Sequence, residues 1–424
     1  MTTRLALLGG PPVRTEPWPT WPQRGLEEEV AVLAALREGD WGGFPMPNER
    51  AGRFAEAFAR RHDAAYAVCV ANGTVSLEIA LQALGAQPGA EVIVPAYTFE
   101  ATASAVLFAG CAPVFADIDP DTWCIDPAAI EAAITSRTQA IVPVHLAMLM
   151  ADLDAVGEIA QRHGLAVLED CAHAHGARWR GRGAGSWGDA GSFSFQTSKL
   201  MSAGEGGAVT TSRADVLDRL YALANCGRQR PGRERDAPVV GHNYRMTELQ
   251  AAILEVQLGR LDDQHVRRVA NAAILDRGID GIEGLERPRA DERITTRAIY
   301  QYVFRFRPEA FGGLDRDTFV AALAAEGVPC DGRFYESLPE SPLLRPDPAR
   351  FPGWTGGDPE ACPVARRLAY SEAVWISHHL LLGDARDAEQ IVEAIAKVAA
   401  GADALRGASG AAIDRLRTAR AARS

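Results

Sequence analysis

Two lysines distinguish this sequence, because nearly all of its other basic side chains are arginine. Of the 424 residues, 44 are lysine or arginine, and only Lys199 and Lys397 are lysine. Arginine preserves charge but stays protonated near neutral pH, so it cannot serve as a neutral nucleophilic amine. A lysine retained against this preference is a candidate for amine chemistry. For Lys397, within the amphipathic stretch 391–398, chance retention at a surface site is the simpler interpretation.

The surroundings of Lys199 favour a chemical role. It follows a predicted strand and lies in the segment 192–207, which is rich in serine, glycine and other small residues. Small residues let a bulky ring approach the backbone closely. An amine in such a loop can be partly desolvated, which a lysine needs in order to be neutral and to form a Schiff base with an aldehyde. Neither lysine follows a glycine, so a Walker-type phosphate loop is excluded.

An acidic segment follows the apolar run 165–168 and supplies a second candidate, Asp170. The carboxyl end of a parallel strand projects into the crevice where such sheets bind ligands. A carboxylate there could hold a protonated pyridine nitrogen, as pyridoxal phosphate requires. A helix N-cap is the alternative interpretation. His173 and His175 alternate as on an extended segment, but no third ligand is nearby, so no metal site is predicted.

Two further segments could bind a phosphate and a planar ring. Gly73 and Thr74 open a predicted helix directly after a strand, where free N–H groups and the helix dipole favour an anion. Phe99 follows the predicted strand 91–94 and offers an aromatic face for stacking. An ordinary helix cap and a core aromatic are the respective alternatives. The Gly-x-Gly-x-x-Gly pattern at 183–188 precedes a strand instead of joining a strand to a helix, which disfavours a dinucleotide-dependent oxidoreductase.

The elements that must position these residues have an α/β pattern. The first 260 residues alternate strand-like apolar runs with helical periodicity, which is typical of a mostly parallel sheet covered by helices. A long helical pattern at 246–275 leads out of this region. We predict a large domain at 1–260, a smaller C-terminal α/β domain at 261–400, and a frayed basic tail at 401–424. Seven strands are expected in the large domain, near 66–70, 91–94, 113–117, 140–144, 166–169, 191–195 and 207–211.

Composition excludes several function classes. The formal net charge is −11, which would repel nucleic acid and anionic lipid. Seven dispersed cysteines without a Cys-x-x-Cys pair encode neither a disulfide framework nor a zinc site. No apolar run approaches the roughly 18 residues of a membrane span. We therefore expect a cytoplasmic protein without nucleic-acid or membrane partners, which binds a small molecule or a second copy of itself.

Taken in order, these motifs resemble the DegT/DnrJ/EryC1/StrS family of fold-type-I, pyridoxal-phosphate-dependent sugar and cyclitol aminotransferases. The resemblance runs from Trp18-Pro-Thr-Trp-Pro to His378-His-Leu-Leu-Leu-Gly and covers most of the chain. It implies that Lys199 forms the Schiff base with the cofactor and moves the proton between donor and acceptor carbons. The other implied cofactor contacts are Asp170 at the pyridine nitrogen, His173 beside the phenolic oxygen, Phe99 stacked on the ring, and Gly73, Thr74 and Ser194 at the phosphate.

The resemblance also implies a homodimer with shared active sites, in which Asn243 reaches the phosphate bound by the neighbouring subunit. An amino group would pass from L-glutamine or L-glutamate to the ketone of a cyclitol or keto-sugar in secondary metabolism, including antibiotic biosynthesis. A nucleotide-linked acceptor, a 3-amino-5-hydroxybenzoate synthase or dehydratase activity, and a non-catalytic partner subunit remain alternatives. Histidine at position 173 is more similar to the scyllo-inosose and aminohydroxybenzoate branches. The loop 145–152 departs from the family's usual His-Leu-Tyr-Gly start, and the acceptor pocket is altered if residues of this loop touch the acceptor.

Overall fold

The computed structural model describes residues 4–43, 46–233 and 239–407. Its regular structure alternates strands and helices through most of the chain. The strands in the described ranges are β1 (Tyr66–Val70), β2 (Glu91–Pro95), β3 (Ala112–Ala116), β4 (Thr138–Ile141), β5 (Ala166–Asp170), β6 (Arg178–Trp179), β7 (Arg182–Gly183), β8 (Ala190–Ser194), β9 (Gly207–Thr211), β10 (Leu285–Glu286), β11 (Ile294–Thr296), β12 (Gln301–Phe306), β13 (Cys330–Asp331) and β14 (Ala373–Ser377).

The α-helices vary from five to 33 residues. They are α1 (Leu26–Glu38), α2 (Glu49–Arg61), α3 (Gly73–Ala83), α4 (Ala101–Phe108), α5 (Pro127–Ala133), α6 (Leu153–His163), α7 (Ala214–Ala224), α8 (Glu248–Asp280), α9 (Arg316–Ala325), α10 (Pro363–Arg367), α11 (Ala385–Ala400) and α12 (Ala402–Arg406). Short 3-10 turns occur at Ala6–Leu8, Pro308–Phe311, Leu338–Glu340, Pro342–Leu344, Pro359–Ala361 and His378–Leu382, and a π-turn at Leu368–Glu372.

A seven-stranded, mostly parallel sheet forms the first half of the chain, as predicted. Its order is β1-β9-β8-β5-β4-β2-β3. The pairs from β8 to β3 are parallel, whereas β9 runs antiparallel to both β1 and β8. All five residues of β2 and of β8 are buried. Strands buried on both faces are typical of a parallel sheet covered by helices on each side.

The parallel strands bring the predicted motifs to one edge of this sheet. Asp170 and Ser194 are the last residues of β5 and β8, and Phe99 follows shortly after the end of β2. The strand predicted at 140–144 ends earlier, at Ile141. Pro143 follows closely and cannot donate a hydrogen bond to the ladder. The remaining six strands lie within one residue of the predicted bounds at each end.

A second, antiparallel sheet occupies the C-terminal half, in the order β10-β12-β14-β13. Helix α8 connects the two regions. It begins with a capping box, in which the Thr247 and Gln250 side chains bond the backbone reciprocally, and it continues to Asp280. The predicted domain boundary at residue 260 therefore falls inside a continuous helix. The division into 1–260 and 261–400 stays a prediction.

Two expectations for the C-terminal end are wrong. Lys397 is not a free surface residue, since its Nζ donates to Glu326 Oε2 at 2.7 Å, and Glu326 is fully buried. The tail does not fray from residue 401, because α12 buries Leu405 in the core. Residues 408–424 of the predicted tail lie outside the described residues. Among the described helices, none combines the length and apolar character needed to cross a membrane.

Candidate active site

A cavity of about 1040 Å³ opens at the carboxyl edge of the large sheet. Seven of the eight residues predicted from the sequence line it, although they come from distant positions in the chain. They are Gly73, Thr74, Phe99, Asp170, His173, Ser194 and Lys199. The eighth, Asn243, does not line this cavity, whereas its neighbours His242 and Tyr244 do. The cavity is thus a single place where the predicted amine, acid, aromatic and phosphate-binding groups meet.

Lys199 is held in a tight turn after β8. Its backbone N–H donates to Gln196 O at 2.9 Å, and its side chain is only 8% exposed. The Nζ atom lies 4.5 Å from the centroid of the Tyr300 ring. An ammonium over an aromatic face is favourable, yet the ring forms no covalent or ionic bond that would tie up the amine. Lys199 is therefore both shielded and available within the cavity.

Asp170 ends β5 with its carboxylate buried beside Lys199. Oδ2 accepts a hydrogen bond from Thr102 Oγ1 at 2.9 Å, and Oδ1 accepts one from the Ala172 N–H at 3.1 Å. Burial raises the pKa of Asp170, and these two hydrogen bonds and the charge of Lys199 oppose that effect. A cationic partner in the cavity would offset the cost of burying this charge. The site therefore suits a protonated ring nitrogen.

The amino-terminal end of α3 and the end of β8 approach each other closely at Gly73. A Cβ atom at Gly73 would lie 2.6 Å from Ser194 Cβ, so only glycine fits there without movement. The Asn72 side chain caps the helix by accepting from the Val75 N–H at 3.0 Å. The N–H groups at the start of a helix have no acceptor within it. Gly73 and Thr74 line the cavity beside Ser194, and a helix start of this kind could hold a phosphate.

His173 is held as a neutral imidazole. Its Nδ1 accepts from the Ala147 N–H at 3.1 Å, so the proton is on Nε2, which lies 2.9 Å from Tyr335 Oη and donates to it. Burial and the charge of Lys199 put the pKa of His173 well below its usual value. The ring also stacks on Tyr300, with centroids 4.1 Å apart. Tyr335 accepts from the imidazole and can donate its own proton to a group in the cavity.

The unusual loop 145–152 contacts residues of the site through its backbone. Ala147 has a positive φ of 60° and lies between two site residues. Its N–H binds His173, and its carbonyl accepts from the Tyr300 N–H at 2.9 Å. Among the described residues that line the cavity, none comes from 145–152. This loop therefore positions the His173 and Tyr300 rings through the Ala147 backbone, without itself contributing to the described lining.

Phe99 and Asn243 differ in what they face. Phe99 is 49% exposed, and its ring centroid is 6.0 Å from that of Tyr335, so one aromatic face remains open to the cavity. Asn243 is exposed and forms an isolated β-bridge with Asn225. Because alternate residues of an extended segment point in opposite directions, Asn243 faces away from the cavity that His242 and Tyr244 line. Its predicted contact with a second subunit stays a prediction.

The Gly-x-Gly-x-x-Gly segment at 183–188 has a structural role. The N–H groups of Gly185, Trp187 and Gly188 donate to the Glu169 carboxylate at 2.7–2.9 Å. His145 Nε2 lies 3.0 Å from the same carboxylate, and His145 Nδ1 accepts from the Ala151 N–H. His145, Glu169 and Cys171 are close enough to hold a metal ion, but the imidazole nitrogens and the carboxylate are already hydrogen-bonded. This cluster ties two loops to β5 beneath the cavity.

Sequence reasoning missed several residues that line the cavity. Tyr300, Arg333 and Tyr335 come from the C-terminal half, more than 100 residues after Asp170. Four carboxylate side chains also line it: Glu78, Glu100, Glu205 and Glu336. Glu100 had a readable signal, since it directly follows Phe99 in the segment after β2. Tyr300, Arg333, Tyr335 and Glu336 depend on how the chain returns to the large sheet, which no local pattern records.

The fold and this site define a fold-type-I, pyridoxal-phosphate-dependent transferase. The chain belongs to the DegT/DnrJ/EryC1/StrS aminotransferase family, whose model matches residues 24–396. It is an aminotransferase, and its cofactor is pyridoxal 5'-phosphate. The cavity fits this cofactor, because it combines a buried acid, a shielded lysine and a helix start that is opened by a closely packed glycine.

Named relatives and solved structures extend over nearly the whole chain. A Streptoalloteichus tenebrarius protein named "Putative L-glutamine:3-amino-2,3-dideoxy-scyllo-inosose aminotransferase" is 47% identical over 96% of this chain and 100% of its own length. The L-glutamine:2-deoxy-scyllo-inosose aminotransferase of Streptomyces fradiae is 41% identical over 94% of this chain and 98% of its own. The crystal structure of 3-amino-5-hydroxybenzoic acid synthase is 34% identical, with a TM-score of 0.81 over 91% of this chain and 100% of its own.

Proposed function

We propose that this aminotransferase moves the amino group of L-glutamine onto the ketone of a scyllo-inosose-type cyclitol, in the biosynthesis of an aminocyclitol antibiotic. Relatives named for glutamine and for scyllo-inosose ketones support this assignment. Identity is higher to the relative named for a 3-amino ring, at 47%, than to the one named for a 2-deoxy ring, at 41%. An acceptor that already carries one amino group is therefore favoured over a ring without one.

The charge of the cavity wall is the main observation that favours an acceptor without a nucleotide over a nucleotide-linked sugar. Four glutamates line the cavity, and among its described lining residues Arg333 is the only guanidinium. A diphosphate needs several cationic donors, which this lining lacks. In the described part of the arginine-rich segment that follows Gly227, Arg230 and Arg233 pair with Asp218 and do not line the cavity. Carboxylates do suit a polyol, whose hydroxyls donate hydrogen bonds.

When bound, pyridoxal phosphate would supply an electron sink for the deprotonated donor carbon and would carry the amino group between donor and acceptor. Gly73, Thr74 and Ser194 would hold its phosphate, and Asp170 would keep its ring nitrogen protonated. Phe99 would cover one ring face, and His173 would lie beside the phenolic oxygen. Each assignment rests on the lining of the cavity and on the hydrogen bonds described above.

Lys199 would bind the cofactor covalently in the resting enzyme and then act as the acid–base group. Its Nζ would take a proton from the α-carbon of the donor and deliver it to the carbon that was the aldehyde carbon of the cofactor. In the second half of the reaction it would move a proton in the opposite direction. The Tyr300 ring below Nζ limits where the amine can point. Burial of His173, Tyr300 and Tyr335 keeps water from the reacting carbons on that side.

The amino donor needs a cation for its α-carboxylate, and we assign this role to Arg333. Its guanidinium lies at the cavity wall and is 3.3 Å from Asp317, whose other oxygen binds Arg316. Asp317 therefore orients Arg333 while sharing its charge with a second arginine. A planar guanidinium matches a carboxylate with two parallel hydrogen bonds.

A homodimer completes this proposal. Asn243 is exposed beside the cavity-lining residues His242 and Tyr244, and this exposure supports the proposal. We propose that Asn243 donates to the phosphate bound by the neighbouring subunit.

Turnover assays test the acceptor class. Purified enzyme loaded with pyridoxal phosphate is incubated with L-glutamine and either a scyllo-inosose ketone or a nucleotide-linked 4-keto sugar. We expect amination of the cyclitol alone. Amination of only the nucleotide sugar would overturn the proposed acceptor, and a colourless protein that takes up no cofactor would favour a non-catalytic partner subunit.

A further inference from the structure

Glu100 occupies a fixed place in the cavity wall. It directly follows Phe99, and its carbonyl accepts from the Ala103 and Ser104 N–H groups at 3.1 and 2.9 Å as α4 begins. Two residues further on, Thr102 holds the Asp170 carboxylate. The backbone of Glu100 is thus anchored to the same helix start that orients Asp170, so its side chain projects from a rigid base.

The Glu100 carboxylate has no hydrogen-bonding partner among the described residues of the fold. Although Glu100 is at the N-cap position of α4, its side chain makes no capping hydrogen bond. Within the described residues it also forms no ion pair or other hydrogen bond, while it lines the cavity and is only partly exposed. A carboxylate in this position, facing a ligand cavity without an internal partner, has its full hydrogen-bonding capacity available.

The other three carboxylates of the wall are less suited to bind a ligand. Glu78 is buried and engaged by the Tyr244 hydroxyl. Glu205 and Glu336 are exposed, so water competes strongly for them. Glu100 also lies near the reacting groups, since its charge contributes, after burial and two other neighbours, to raising the pKa of Tyr335, which binds His173.

We propose that Glu100 binds the ammonium group of an acceptor ring that already carries one amino substituent, and so selects an aminated cyclitol ketone over a non-aminated one. This inference rests on the proposed function. An ammonium donates up to three hydrogen bonds and carries the charge that complements a free carboxylate. Binding that group at Glu100, beside Phe99 and Tyr335, orients the ring so that one particular carbonyl faces the amino group that the cofactor would carry, within reach of Lys199 as the acid–base group.

Kinetics of a Glu100→Gln variant test the proposal, because this change keeps the shape and removes the charge. The wild type, this variant and Glu336→Gln, which makes the same change elsewhere in the wall, are assayed with L-glutamine. Each is given 3-amino-2,3-dideoxy-scyllo-inosose or 2-deoxy-scyllo-inosose. For Glu100→Gln we expect kcat/KM with the aminated ring to fall about 10- to 100-fold. With the non-aminated ring we expect a change of less than about threefold.

Three further readouts separate recognition from a structural effect. The half-reaction with L-glutamine alone, followed by cofactor absorbance, should be unchanged in Glu100→Gln. In the wild type, KM for the aminated ring should rise as the pH passes the pKa of the acceptor amine, and this rise should be absent from Glu100→Gln. Equilibrium binding of the aminated ring's product should weaken by a similar factor.

The outcomes are distinguishable. Equal losses with both rings, no loss, or a larger loss in Glu336→Gln would overturn the role of Glu100 while leaving the proposed function in place. Failure of the wild type to aminate either ring would overturn the proposed function and the role of Glu100 with it.

Discussion

Replacing Lys199 by arginine offers the sharpest separation of chemistry from folding in this chain. The variant keeps the positive charge over the Tyr300 ring, and the cavity of about 1040 Å³ has space for the larger head group. The fold should therefore survive. A guanidinium cannot act as a nucleophile or exchange protons near neutral pH. Loss of acid–base catalysis alone is worth about 10²–10⁴-fold, so we expect transamination to fall by at least about 10³-fold.

Lys397→Arg is the matched control, and the structure changes what it should do. Lys397 Nζ bonds both Glu326 and the Pro11 carbonyl, while Glu326 also accepts from the Ala6 and Val13 N–H groups. Arginine keeps the ion pair, so we expect normal turnover and a loss of at most about 1 kcal/mol in unfolding free energy, from strained packing. Lys397→Met would leave the Glu326 charge unpaired and cost about 3 kcal/mol.

Three measurements check this pair of variants. They are steady-state transamination, thermal unfolding, and peptide mapping after borohydride reduction of the enzyme with its cofactor. Borohydride should attach the cofactor to residue 199 in the wild type and in Lys397→Arg, and to no residue in Lys199→Arg. Near-normal turnover of Lys199→Arg, or cofactor found on Lys397, would refute the assignment of the catalytic lysine.

Four other predictions follow from the site and its supports. Mixing Lys199→Ala chains with Asn243→Ala chains should restore activity, since a mixed dimer has one site with neither lesion; demonstrated mixed dimers without activity would exclude a shared site. Gly73→Ala places a Cβ 2.6 Å from a neighbouring side-chain carbon and should weaken pyridoxal phosphate binding at least about tenfold, measured by titration of the apoenzyme. Arg333→Gln should raise KM for L-glutamine about tenfold or more while KM for the acceptor stays constant, and a change in the acceptor KM alone would contradict its role. Burial lowers the pKa of His62 to about 3, so its stabilising contribution is complete above pH 6.5 and is lost as pH falls toward 3; His62→Gln should flatten the loss of unfolding free energy by about 1.4 kcal/mol per pH unit in that range.

The sequence predicted most of the large sheet and seven of the residues that line the cavity. Short apolar runs bounded by helical patterns located the strands, because a parallel sheet buries both faces and leaves a strong local signal. The motifs at strand ends then located seven lining residues, since parallel strands bring their carboxyl ends to one edge. The interpretation of Lys397 as an ordinary surface residue was wrong, because its partner Glu326 is 71 residues away and leaves no mark on the local pattern.

The sequence by itself determined which chemistry this protein can perform, because only two lysines are present and one stands in a loop that suits an amine. The tertiary structure decided what surrounds that chemistry. Tyr300, Arg333 and Tyr335 reach the cavity only when the C-terminal half folds back onto the large sheet. The neutral state of His173 likewise depends on burial and on a backbone N–H from a distant loop. Such contacts are set by the packing of whole helices and strands against each other. Patterns in the sequence directly predict only the local structure formed by residues close together in the chain.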